Sequence, residues 1–177
     1  MLDRQSRYLL DNVSVIVIDD NPHMRSLILS ILHSLGVEKI SDSGDAQEGY
    51  QRLQNFEADV LIVDWDMKPM SGLDFANMVR KDEDSPNPYV PIIMLSGATE
   101  YEHVLQARDA GVNEFVVKPL SAKTLFDRIT SIIDNPRPFV KNEHYFGPCR
   151  RRRDLGPPEG IQERRADETA KEAVGQD

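Results

Sequence analysis

Apolar residues along this chain follow two alternating rhythms. Short runs at 13–18, 60–63, 90–95 and 112–117 are rich in Val, Ile and Leu, and between them apolar residues fall three and four apart. Short runs bounded by turn residues predict strands buried on both faces, as in a parallel sheet, and the longer spacing predicts amphipathic helices. The strand at 13–18 ends in Asp19 and Asp20, with Asn21 suited to cap the next helix and Pro22 to open it. Met24, Leu27, Ile28, Ile31, Leu32 and Leu35 mark that helix, and Gly36 ends it. A weaker strand at 37–40 precedes a modest helix, opened by Gly44 or Asp45 and carrying Ala46, Gly49, Tyr50 and Leu53. The run at 60–63 stops abruptly at Asp64; Pro69 and Gly72 follow, then a helix marked by Leu73, Ala76 and Val79. A polar loop at 81–88 leads into the strand at 90–95, which closes on Ser96, Gly97 and Ala98. Tyr101, Val104, Leu105 and Ala107 mark a fourth helix with Gly111 beyond it. The strand at 112–117 runs into Lys118 and Pro119, and Leu120, Leu125, Ile129, Ile132 and Ile133 mark the last helix.

Five strands alternating with five helices predict a doubly wound α/β fold: a five-stranded parallel sheet with right-handed crossovers and helices on both faces. The pattern holds over 12–135 and breaks at Asn135, Pro136, Arg137 and Pro138. Few apolar residues remain in 136–177, too few to offset the entropy of ordering a chain, so this segment reads as a largely disordered tail with a short helix as a candidate at 161–174. With 177 residues and 40% hydrophobic content, the chain reads as one domain plus that tail. A formal net charge of −9 argues against general nucleic-acid affinity, and most of the acidity lies before Pro136. The single cysteine, Cys149, excludes an internal disulfide framework. No apolar run reaches membrane-spanning length and the first dozen residues are too polar for a secretory signal, so a cytoplasmic protein is expected.

In an open parallel sheet, ligands sit beyond the carboxyl ends of the strands. Those ends here carry Asp19, Asp20, Asp64, Ser96 and Lys118. Carboxylates gathered in one pocket repel unless a cation neutralises them, and a hard divalent ion that keeps several waters, magnesium, suits so few protein oxygens. A carboxylate beside such an ion and a lysine is a fitting phosphoryl acceptor. Lys118 would spread the charge of the transferring group and the Ser96 hydroxyl would bond one of its oxygens.

Asp19 and Asp20 after strand one, Asp64 after strand three, Ser96 after strand four and Lys118-Pro119 after strand five together resemble a response-regulator receiver domain, a CheY-like single-domain regulator. The resemblance implies the sheet order 2-1-3-4-5, phosphorylation of Asp64, and a Mg2+ site made by Asp20, Asp64 and the backbone carbonyl of Asp66, with Asp19 acting through a metal-bound water. It further implies that Ser96 and Phe115 form the switch pair, that Lys118 is the phosphate partner, and that the Lys118–Pro119 bond is cis. The implied donor is a sensor histidine kinase or a phosphotransfer protein, and the implied output is a protein target bound by the helix 4–strand 5–helix 5 face, with dimerisation on phosphorylation left open. This sequence departs from the family where Met67-Lys68-Pro69 sets the proline one place late, and where Asp66 adds a carboxylate beside the site.

Two other functions compete with this one. A constitutive scaffold would act through the tail, where Tyr145 and Phe146 precede the run Arg150, Arg151, Arg152 and Arg153, a candidate docking segment for a partner. A hydrolase with an external substrate lacks any base or nucleophile beyond the acidic cluster, so no such enzyme is expected. His23, His33, His103 and His144 show no ligand spacing and read as surface or helix-face residues, and Trp65 reads as a residue packed at the rim of the site.

Overall fold

Burial at every position, the condition of a strand covered on both faces, is met by β1 (Ser14–Ile18), β3 (Val60–Asp64) and β4 (Ile92–Ser96). The structure, a computed structural model, describes residues 10–97, 100–142 and 145–149. The remaining elements of the sheet layer are α1 (Pro22–Ser34), β2 (Lys39–Ser43), α2 (Ala46–Asn55), α3 (Gly72–Lys81), α4 (Tyr101–Asp109), β5 (Glu114–Val117) and α5 (Ala122–Asp134). The strands run parallel in the order β2-β1-β3-β4-β5, as the resemblance implied.

Successive strand residues point to opposite faces, so each strand feeds two cores. Ile16, Ile18, Leu61, Val63, Ile92 and Met94 pack with Ala46 and Leu53 of α2, Phe75, Ala76 and Val79 of α3, and Ala107 of α4. Val15, Val17, Val60, Ile62, Ile93 and Leu95 pack with Ile28 and Leu32 of α1 and with Leu125, Ile129 and Ile132 of α5. Asn21, Asp45, Ser71 and Ser121 cap α1, α2, α3 and α5 through side-chain oxygens, which accept from otherwise unpaired first-turn amides. Glu100, which opens α4, gives no such bond.

The edge strand is displaced from its predicted place. Only Ile40 is apolar within β2, so composition gave little purchase; pairing of Ser14 through Ile18 with Lys39 through Ser43 sets its position. Among the described residues no helix is long and apolar enough to cross a membrane.

The larger correction lies after α5. Residues expected to belong to an unstructured tail form an antiparallel hairpin, β6 (Phe139–Lys141) with β7 (Phe146–Pro148). Its anchor is an aromatic group in which Tyr89, Phe139 and Phe146 meet edge-on or tilted at centroid separations of 5.1–5.9 Å. The buried Arg80 guanidinium lies 5.1 Å from the centre of the Phe139 ring. Arg80 also donates to the carbonyls of Gly111 and Pro88 and to Asn113 Oδ1. With only neutral acceptors around it, burial pulls its pKa down to about 9. Gly147 rests directly on Gly111, whose φ of +80° is a glycine conformation; a Cβ on Gly147 would lie 2.5 Å from the Gly111 Cα.

Tyr145 and Phe146 are therefore buried, and the Tyr145 hydroxyl donates to the Pro148 carbonyl at 2.7 Å. They are committed to the chain's own fold rather than free to anchor a partner. Isolated aromatics without a period gave no strand signal; their partners, Tyr89 and Arg80, lie far away in sequence. Arg150, Arg151, Arg152, Arg153 and the candidate helix at 161–174 lie outside the described residues.

Candidate functional site

The site is assembled by strand ends. Ile18 pairs with Val63, Asp64 with Leu95, and Ser96 with Val117, so the residues that close β1, β3, β4 and β5 are brought to one edge of the sheet. The Lys118 amide donates to the Ser96 carbonyl at 2.8 Å, which fixes where the lysine leaves β5. Gly72 is required by proximity: a Cβ there would fall 2.1 Å from the Asp64 carbonyl oxygen, so the start of α3 rests against the strand end that presents Asp64.

Asp19, Asp20 and Asp64 each direct a carboxylate oxygen into one locus, all within 4.8 Å of one another. Asp19 and Asp64 are buried and Asp20 is exposed. The Lys118 ammonium lies 2.7 Å from Asp64 Oδ1 and 3.5 Å from Asp19 Oδ2. Those distances pair the groups as charges, yet neither oxygen receives a hydrogen bond of good geometry. Elsewhere in the site, Asp19 Oδ1 accepts from the Asn21 amide and Asp20 Oδ2 accepts from the Lys68 amide.

Burial raises the pKa of Asp19 above its ordinary value; the Asn21 hydrogen bond opposes this and the neighbouring Asp64 charge adds to it. Burial would lower the pKa of Lys118, but its contacts with Asp64 and Asp19 outweigh that and hold it above the usual lysine value. The lysine is a fixed cation facing carboxylates that it does not fully satisfy. Two buried oxygens without a well-formed donor, beside a third exposed carboxylate, fit a hard divalent cation with access to water.

Of the remaining predicted residues, Ser96 is fully buried at the end of β4 and Asp66 is exposed on the loop after β3. The Lys118–Pro119 bond is cis, as the resemblance implied; Lys68–Pro69, with its late proline, is cis as well. Phe115 is half-buried, and its ring meets Trp65 edge-on at 6.3 Å. Trp65, beside Asp64, packs into the fold. It is only 9% exposed and stacks on His103 with ring centroids 4.7 Å apart and planes 24° from parallel.

Sequence reasoning missed His103, which carries no ligand spacing, and Arg25. The Arg25 guanidinium donates to the Asp19 carbonyl at 2.7 Å and to Asp42 Oδ2 at 2.9 Å, tying the loop that bears the acidic pair to β2. Its place one turn into a helix gave no sign of this.

The "Response regulator receiver domain" family profile matches residues 15–130. The chain is 34% identical to chemotaxis protein CheY1 of Helicobacter pylori over 122 residues, 68% of this chain and 97% of that protein. The solved structure of Vibrio cholerae CheY4 superposes with a TM-score of 0.63 at 27% identity, covering 68% of this chain and 98% of that one. A CheX–CheY–BeF3–Mg2+ complex from Borrelia burgdorferi shares the fold at a TM-score of 0.61 and 22% identity, covering 68% of this chain and 89% of that one.

Proposed function

Given that the chain belongs to the response regulator receiver domain family, we propose that it accepts a phosphoryl group on Asp64 from a histidine kinase or phosphotransfer protein and responds by changing a partner-binding face. The observation that carries this is the Lys118 ammonium 2.7 Å from Asp64 Oδ1, in a locus shared with two further carboxylates. A carboxylate oxygen of Asp64 attacks the donor phosphorus; the new O–P bond forms as the P–N bond to the donor imidazole breaks, and the bonding pair leaves with that nitrogen. Lys118 neutralises charge on the arriving phosphoryl oxygens, and the Ser96 hydroxyl is the hydrogen-bond donor to one of them. Asp19, Asp20, Asp64 and the Asp66 carbonyl would hold Mg2+, which supplies the positive charge that lets three carboxylates and a phosphoryl group share one pocket. The Mg2+ and BeF3 of the Borrelia complex belong to a protein of the same fold, in keeping with that assignment.

The response follows from local charge. Ser96 drawn toward the phosphoryl group leaves room for Phe115 to turn inward, which repacks α4, β5 and α5 for a target protein. No external substrate is turned over, and the protein works in the cytoplasm where such kinases signal. A scaffold acting through its tail has no use for two buried carboxylates facing a lysine, which oppose folding. The test is Mg2+-dependent incorporation of acid-labile phosphate from a small phosphodonor: about one group per chain in the native protein and none in Asp64→Asn. Equal incorporation in both proteins overturns the assignment.

A further inference from the structure

Helix α4 is anchored unlike its neighbours. It alone among the described helices has no side-chain N-cap, and Ala107 is its only buried residue, whereas α3 buries Phe75, Ala76, Val79 and others. Its far end is fixed, because Gly111 is packed under Gly147 of the hairpin and its carbonyl accepts from Arg80. Near its start, the His103 ring lies on Trp65. Trp65 follows Asp64 in the chain, is held by its amide to the Leu95 carbonyl, and also carries the edge contact with Phe115. The acceptor strand, the proposed switch aromatic and the uncapped helix thus meet at one indole.

The polar side of the ring is incompletely paired. His103 Nδ1 is buried without a hydrogen-bond partner among the described residues, and the Glu100 carboxylate stands 3.7 Å away, just beyond bonding range. A small shift at the start of α4 would change both the stack and that separation.

We infer that His103 is a positioning residue that latches α4 in its resting place. It acts through Trp65, and α4 pivots on the end held by the hairpin when Phe115 turns inward. This rests on the reading of Asp64 as acceptor and Phe115 as switch aromatic. Because the stack favours the resting arrangement, removing it shifts the population toward the phosphorylated form. A ring of similar shape that lacks the nitrogens keeps the latch, since stacking rather than hydrogen bonding provides the hold.

The experiment uses the full chain, its single tryptophan as reporter, and Mg2+ with beryllofluoride as the phosphoryl mimic. His103→Ala is expected to lower the half-saturating beryllofluoride concentration about fivefold, the lower end of typical coupling, and to speed amide exchange at 101–105 without the mimic. His103→Phe is expected to return both to native values, whereas His103→Leu, which refills the space without a stacking ring, is not. An unchanged or raised half-saturation point in folded His103→Ala overturns the latch, as does failure of His103→Phe to restore it. Loss of the acceptor reading looks different: the native protein itself would give no response to the mimic, or Asp64→Asn would give the same one, and the latch would fall with it.

Discussion

Asp19 is where the cost of the site is concentrated. Its carboxyl is fully buried, its pKa is raised by that burial and by Asp64, and its Oδ2 lacks a good donor. A carboxyl whose pKa is raised on folding favours the folded state while protonated. That contribution is complete below about pH 4, near the unfolded value, and is lost as pH rises through the elevated folded value. In metal-free buffer, Asp19→Asn should therefore be more stable than the native protein at neutral pH by about 0.5–2 kcal/mol, with the gap closing toward pH 3; urea unfolding across that range checks it. Lys118 follows the same sign in an alkaline window: its raised pKa adds stability below the usual lysine value and loses it as pH rises through the elevated one. At this scale the chemistry was legible, since Asp19, Asp20, Asp64, Ser96 and Lys118 each stand where an apolar run stops. Arg25 and His103 were not, because their partners, the Asp19 carbonyl and the Trp65 ring, are chosen by the fold rather than by spacing.

Elements whose own sequence carries a period were read correctly, and those held by long-range contacts were not. The central strands declare themselves as apolar runs, and Asn21, with Pro22 following, marks the start of α1 as expected. The edge strand β2, with one apolar residue, and the β6–β7 hairpin, with scattered aromatics, owe their places to partners elsewhere. The hairpin offers a direct check that it belongs to the folded domain. Phe146, 8% exposed and packed on Tyr89 and Phe139, should cost about 3 kcal/mol when changed to Ala, as core phenylalanines do. A tail that contributes nothing would give no measurable change in the urea midpoint.

Across the whole molecule, two ends of one sheet have different tasks. The carboxyl ends of the strands gather acid around a lysine, while the hairpin closes the opposite end of β5 with aromatic rings and a buried arginine. Between them, β5 and α4 connect the two ends, with Phe115 in the strand and His103 on the helix. A phosphoryl bond to Asp64 is the centre of the proposed function, and the most direct test is to trap that bond. After incubation with Mg2+ and a small phosphodonor, borohydride reduces an acyl phosphate to the alcohol, which peptide mapping then locates. The prediction is a single reduced residue, Asp64 converted to homoserine, dependent on both Mg2+ and donor. Reduction at Asp19 or Asp20 instead, or at no carboxylate in a protein shown to be folded and metal-loaded, would contradict it.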